Sequence, residues 1–164
     1  MNIVEGDILN AKVDAIIHQV NCQGVMGAGL AKQIKDRFPL VYEYYREWCK
    51  DPQYNPPMLP RSPLLGSVQV IYPDDKSNLA IVNLFAQDKF GRSKCYTDYD
   101  ALRECLKRVN EMFRGLVVAV PYGMSCGLAG GDWSIVSTMI EKELRSCKVI
   151  VYRLKGAMHR GNAQ

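Results

Sequence analysis

This sequence has no run approaching the ~18 consecutive apolar residues that a membrane-crossing helix needs, so no segment is expected to span a bilayer. Its start, MNIVEGDIL, lacks the basic region and following apolar block of a secretory signal, and it reads instead as a first strand. A cytoplasmic, intracellular protein is the expectation. None of the six cysteines stands in a CxxC pair, which argues against a zinc ribbon or a dithiol redox motif. In that compartment the thiols are expected to be reduced, most of them small core fillers. There is no GxxxxGK[ST], hence no lysine and hydroxyl of a Walker-type phosphate site. No acidic cluster suggests a metal, so neither a metal nor any other cofactor is expected. Histidine is scarce: His18 and His159 are the only two.

What is present describes one compact domain. The chain has 164 residues, 48% apolar and 23% charged, enough for a real core. The net charge of +4 is modest; it suits a small anionic ligand and is not by itself a nucleic-acid footprint. Part of it sits in KGAMHRGNAQ, so residues 1–154 are expected to form the domain and 155–164 a flexible tail. Nothing suggests an obligate oligomer, and a monomer is expected.

Apolar, β-rich runs recur at 2–6, 14–20, 67–73, 79–86, 115–121 and 147–154, several of them continuously apolar as in strands buried on both faces. Four helical patterns lie between them. Leu30, Ile34 and Phe38 mark one, ending near Pro39, and residues 41–49 make an aromatic-rich second. Tyr99, Leu102, Leu106, Val109 and Phe113 make an amphipathic stripe. Trp133, Val136, Ile140 and Leu144 make another, with Asp132 placed as its N-cap. The order predicts an α/β domain, a three-layer α/β/α sandwich with a central mixed sheet. A proline-rich loop of about 16 residues separates the second helix from the third strand, long against the usual ~4–6.

Two strands run into glycine loops that open helices: DAIIHQV into NCQGVMGAG, and GLVVAVP into YGMSCGLAGG. Ligands of open α/β sheets sit beyond the carboxyl ends of strands. Glycine lets backbone N–H groups approach phosphate oxygens, and helix N-termini add a favourable dipole. Two such loops on one sheet edge would clamp a diphosphate. The same glycines could serve only turns and close packing. The spacing GxxGxG at Gly24, Gly27 and Gly29 is reversed from the dinucleotide fingerprint, which argues against an NAD enzyme. Cys22 and Cys126 lie in these loops, and a catalytic thiol there would have His18 as its candidate partner.

Gly6–Ile8, DAIIHQVNCQGVMGAGLA, NLFAQ at 83–87, PYGMSCGLAGGDW at 121–133 and VIVY at 149–152 together resemble a macrodomain, in order and spacing, over residues 2–154. The resemblance implies an α/β/α sandwich that binds ADP-ribose. Asp7 then corresponds to the acceptor of the adenine amino group, with the Ile8 backbone beside it. Asn21, Gly24, Val25, Met26, Gly27, Ala28, Gly29, Leu30 and Ala31 correspond to the loop around the distal ribose and diphosphate. Ser125, Cys126, Gly127, Leu128, Ala129 and Gly130 correspond to the second diphosphate loop, and Tyr152 to the aromatic wall beside the adenine. Taken singly, Asp7 could be a cap and Tyr152 core.

Within that family, the branch that removes ADP-ribose from acidic side chains or DNA bases carries a lysine where Gln87 stands and can carry an aspartate where Ala129 stands. Lys89 is two residues from the lysine position. The pattern HxxNCxGxxGxGxA followed by Arg37, Phe38 and Pro39 resembles instead the yeast-type ADP-ribose 1″-phosphate phosphatases, although SCGLAGGDW is richer in glycine. The expected function is hydrolysis of ADP-ribose 1″-phosphate to ADP-ribose and phosphate. The alternatives are ADP-ribosyl hydrolysis from protein, nucleic acid or an acyl group, and a reader without turnover. The expected catalytic set is His18 as acid or water-orienting base, Asn21 with the loop N–H groups on the phosphorus oxygens, and Gln87 and Asp132 positioning water. Without the family pattern, His18 reads as a satisfied core histidine.

Overall fold

A computed structural model describes residues 1–156 of the chain. The tail expected over 155–164 lies, from residue 157 on, outside the described residues. The strands are β1 (Asn2–Glu5), β2 (Ala15–Asn21), β3 (Val68–Ile71), β4 (Ala80–Gln87), β5 (Val117–Pro121) and β6 (Lys148–Arg153). The helices are α1 (Gly29–Arg37), α2 (Pro39–Lys50), α3 (Tyr99–Met112) and α4 (Trp133–Glu143), with one 3-10 turn at Ile8–Asn10. The predicted order of elements holds. The 3-10 turn was not anticipated, and Pro39 opens α2, where its missing N–H costs nothing. Among the described residues no helix is long and apolar enough to cross a membrane.

The sheet runs β1-β6-β5-β2-β4-β3, parallel except for the β3–β4 pair. The carboxyl ends of β1, β6, β5, β2 and β4 therefore line up along one edge, in that order. Helices α3 and α4 cover one face, where Leu102, Leu106, Val109, Val136 and Ile140 pack on Ala15, Ile17, Val82 and Val118. On the other face α1 and α2 bring Ile34 and Val41 against Ile16 and Ile81, while Tyr45 packs with Val20 and Phe85. Each fully buried aliphatic side chain contributes about 1.5–3 kcal/mol, so the α3 stripe alone is worth several times a single hydrogen bond. The three-layer sandwich is the predicted fold.

Two irregularities shape the edge. Between Val20 and Asn21 the β2–β4 register slips, so that Val20 faces Phe85 and Asn21 faces Gln87, leaving Ala86 as an extra residue. A bulge of this kind re-aims the next side chain. It turns Gln87 toward Gln19, on the face that carries Ala15 and Ile17. The second irregularity is Ser125, which adopts φ 71°, a left-handed conformation uncommon outside glycine.

Candidate functional site

Loop 1, residues 22–28, leaves β2 and enters α1. Asn21 organises it: its Oδ1 accepts from the N–H of Gln23 at 2.9 Å, and its Nδ2 donates to the carbonyl of Val25 at 2.8 Å. The Tyr45 hydroxyl lies 2.7 Å from the Asn21 carbonyl and 2.8 Å from its Oδ1, and accepts from the N–H of Val25 at 3.1 Å. Burial pushes the Tyr45 phenol far above its usual range, so it stays a neutral tie between α2 and the loop. Asn55 braces the same loop from the proline-rich segment, donating to the carbonyl of Cys22 at 2.9 Å. Met26 is buried beneath, while Val25, Gly27, Ala28 and Gly29 face out.

Helix α1 starts without a side-chain cap, because its N-cap is Ala28. The other helical starts that lack an N-terminal proline are closed by aspartates: Asp7, Asp98 and Asp132. The N–H groups of Met26, Gly27, Ala28 and Gly29 donate to no described residue, and Leu30 and Ala31 follow in the first turn. This is an anion-receptive helix end.

Loop 2, residues 122–131, leaves β5, the neighbour of β2. The N–H of Gly131 donates to the carbonyl of Ser125 at 2.8 Å, closing the loop on itself. A Cβ on Gly131 would stand 2.6 Å from that carbonyl oxygen, so glycine is required there. The N–H groups of Gly127, Leu128 and Ala129 donate to no described residue, and Gly127, Leu128 and Gly130 are exposed. Beneath the loop runs a polar floor. Ser125 Oγ donates to Gln19 Oε1 at 2.6 Å, Gln19 Nε2 donates to Gln87 Oε1 at 3.2 Å and to Thr97 Oγ1 at 3.1 Å, and Thr97 Oγ1 donates to the Ser125 carbonyl at 2.9 Å. Gln19 and Thr97, the centre of this floor, were missed in the sequence. The available signal was a glutamine beside His18 in a strand that opens with an apolar run.

At the other end of the edge, Asp7 caps the 3-10 turn, accepting from the N–H of Leu9 at 2.9 Å, and remains half-exposed. Ile8 is buried beside it. Tyr152, in β6, stands 3.8 Å from the position a Gly6 Cβ would take, so its ring packs beside the turn that Asp7 caps. The structure thus brings together Asp7, Tyr152, both glycine loops and Gln87 along one edge.

His18 is not among them. The sequence puts it before the loop; the fold puts it three residues deeper, because β2 continues to Asn21. It is 2% exposed, with Nε2 2.6 Å from Asn83 Oδ1. Asn83 Nδ2 donates to Gln69 Oε1 and Gln69 Nε2 to the Tyr44 carbonyl, both at 3.0 Å. Those commitments leave Asn83 Oδ1 as an acceptor, so the imidazole carries its proton on Nε2. Nδ1 has no hydrogen-bond partner. Burial lowers the His18 pKa from 6.5 to about 4, opposed only by the Asn83 bond. The fold thus places His18 as a neutral, buried imidazole inside the sheet, away from the loops, where the expected acid or base would have to stand.

Three other expectations change. The Asn21 side chain braces loop 1 through Oδ1 and one Nδ2 proton. Asp132 caps α4, its Oδ1 accepting from the N–H of Ser134 at 2.7 Å and from its hydroxyl at 2.6 Å, and those bonds hold its pKa low. The thiols of Cys22 and Cys126 are pushed up to about 12 and about 11, chiefly by burial, so neither is a thiolate nucleophile near neutral pH. A separate hollow of about 580 Å³ opens beside the proline-rich segment, between Trp48, Tyr54, Pro56, Leu59 and Arg108; no residue of either glycine loop lines it.

No family model matches the chain. It is 36% identical over 109 residues to the ADP-ribose 1″-phosphate phosphatase of Meyerozyma guilliermondii, a match covering 60% of this chain and 59% of that protein. It is 27% identical over 156 residues to the DNA ADP-ribosyl glycohydrolase of Mycobacterium tuberculosis, covering 92% of this chain and 41% of that protein. The chain therefore spans less than two thirds of either relative. Among solved structures, the macrodomain of Mycobacterium tuberculosis DarG superposes with a TM-score of 0.73 at 26% identity, covering 92% of this chain and 95% of that one.

Proposed function

The chain has the macrodomain fold, and from that premise we propose that it binds ADP-ribose along the carboxyl edge of its sheet and hydrolyses ADP-ribose 1″-phosphate to ADP-ribose and phosphate. One observation carries the reading: two loops with uncommitted N–H groups, one of them an uncapped helix start, leave the adjacent strands β2 and β5. A diphosphate between them meets donors from both sides. The adenine then lies toward Asp7 and Tyr152, and the distal ribose toward Gln87. The 36% identical stretch shared with a phosphatase favours the phosphate ester as substrate.

The chemistry asks little of a strong acid or base. Water bonds to phosphorus while the bond from phosphorus to the anomeric oxygen breaks. The water gives up one proton, and the anomeric oxygen gains one. Phosphoryl transfer passes through a loose transition state in which positioning and charge stabilisation do most of the work. An anomeric oxygen also leaves more readily than an alkyl one. Gln87 accepts from Gln19 through Oε1, which leaves its Nε2 to hold the water or the leaving oxygen. The N–H groups of the loops stabilise the phosphoryl charge. All six cysteines are unpaired, which supports action in a reducing cell interior, and we take the acting species to be a monomer.

The second reading, release of ADP-ribose from a modified macromolecule, is favoured by the 92% coverage against a DNA ADP-ribosyl glycohydrolase. Gln87 in place of a lysine opposes it, and Lys89 is exposed on the segment beyond. The deciding experiment supplies the pure protein with ADP-ribose 1″-phosphate, ADP-ribosylated protein and ADP-ribosylated DNA in separate reactions. Inorganic phosphate from the first supports the proposal. Free ADP-ribose from the others selects the second reading, and binding of ADP-ribose with no release anywhere makes the protein a reader.

A further inference from the structure

Neither glycine loop contains a lysine or an arginine. The segment joining β4 to α3, residues 88–98, reads DKFGRSKCYTD and holds Lys89, Arg92 and Lys94 within six positions. It is stapled to both loops. At its start, the carbonyl of Asp88 accepts from the N–H of Cys22 at 3.1 Å and from Gln23 Nε2 at 3.1 Å. At its end, the N–H groups of Tyr96 and Thr97 donate to the carbonyl of Ala129 at 2.7 and 3.2 Å. It therefore packs against both loops, at the end of the edge away from Asp7 and Tyr152. By strand order it is the last station of the edge, after loop 2 and loop 1, where the ADP-ribose reading puts the distal ribose.

The segment is folded around its own tyrosine. A Cβ on Gly91 would stand 2.4 Å from the Tyr96 hydroxyl, so the ring lies directly on that glycine. The same hydroxyl is 2.9 Å from Ser93 Oγ, and Lys94 Nζ sits 5.4 Å from the ring centroid. Lys89, Arg92 and Lys94 are exposed, and none takes part in an ion pair among the described residues. The acids of the segment are Asp88 and Asp98, and Asp98 is paired with Arg61.

We propose that Lys89, Arg92 and Lys94 form a cationic clamp for a terminal phosphate on the distal ribose, a subsite separate from the diphosphate cleft that makes the protein prefer the phosphorylated ligand over plain ADP-ribose. The proposal rests on the ADP-ribose reading of the two loops. A phosphomonoester adds about −1.5 to −2 charges at neutral pH. Backbone N–H dipoles, shared with the diphosphate, bring no net charge to offset it, whereas a lysine or arginine at hydrogen-bond range does. The clamp selects and holds; it performs no bond-breaking step.

The test measures ADP-ribose affinity by calorimetry, and in parallel the KM for ADP-ribose 1″-phosphate, or its Kd if no phosphate is released. The proteins are the wild type, the Lys89→Ala/Arg92→Ala/Lys94→Ala variant, and Arg92→Glu. The wild type should favour the phosphorylated ligand by about tenfold or more at low salt, an advantage that shrinks as ionic strength rises. The triple variant should lose the preference while its ADP-ribose affinity stays within about twofold, which also reports intact folding, and Arg92→Glu should reverse it. An unchanged preference in the triple variant overturns the clamp and leaves the ADP-ribose reading standing. So does an unchanged preference with lost binding of a fluorescent single-stranded oligonucleotide, which would assign these cations to nucleic acid. No binding of ADP-ribose by the wild type removes the reading of the loops, and the clamp with it.

Discussion

His18 and Asn83 face each other across the parallel strands β2 and β4, with 2.6 Å between Nε2 and Oδ1. The bond is the first of a row that continues through Gln69 to the carbonyl of Tyr44 on α2, so it ties three strands to a helix. The row sits inside the molecule, beneath the edge where the ligand loops emerge.

The lowered pKa of His18 makes it a source of acid sensitivity. The unfolded chain takes up the proton near pH 6.5, and the folded one only near pH 4. The contribution is present above about pH 6.5 and is lost progressively as pH falls toward 4, about 3 kcal/mol in all. Urea unfolding midpoints of the wild type should fall across that window. Those of His18→Gln should be flatter there, with turnover per folded molecule retained within about threefold. Loss of turnover in a fully folded His18→Gln protein would restore a catalytic role.

Tyr45→Phe removes the hydroxyl that holds Asn21 and the N–H of Val25. The cost should be about 1–3 kcal/mol in stability, because the buried partners are left unmatched. ADP-ribose affinity should drop with it, since loop 1 loses its anchor to α2. Denaturant titration and calorimetry on the same preparation read the two effects.

Gly131→Ala places a methyl group 2.6 Å from the Ser125 carbonyl oxygen. Loop 2 must open, and the N–H groups of residues 127–129 lose their alignment. ADP-ribose affinity is expected to fall by about tenfold or more while the core stays folded, as calorimetry and far-ultraviolet dichroism will register.

Asp132→Asn and Gln87→Ala separate capping from chemistry. Asparagine caps helices about as well as aspartate, so Asp132→Asn should keep stability within about 0.5 kcal/mol and turnover within about threefold. Gln87→Ala should lower kcat by about ten- to a hundredfold with little change in KM, if the amide acts on the water or leaving oxygen. Steady-state kinetics on both variants decide; the opposite pattern would move the chemistry to Asp132.

The glycine loops were legible because they follow apolar strands and open helices, and each of those patterns is local. The cap at Asp132 was legible for the same reason. Gln19, Thr97, Tyr45 and Asn55 were not. Their roles come from bonds to residues far along the chain, such as Asn55 to Cys22 and Ser125 to Gln19. The side chain of Gln87 was re-aimed by a one-residue bulge that no periodicity announces.

The sequence by itself determined the α/β/α layers, the edge at which the loops gather and the shortage of acid–base groups in them, because strand and helix periods and glycine content are properties of consecutive residues. Only the tertiary structure decided where His18 sits. An imidazole before a phosphate loop and an imidazole in a sheet interior differ by three residues of strand, and that length is set by pairing with β4. The same pairing sets where Gln87 points, while the chain that follows it carries Lys89, Arg92 and Lys94, none of them in an ion pair among the described residues.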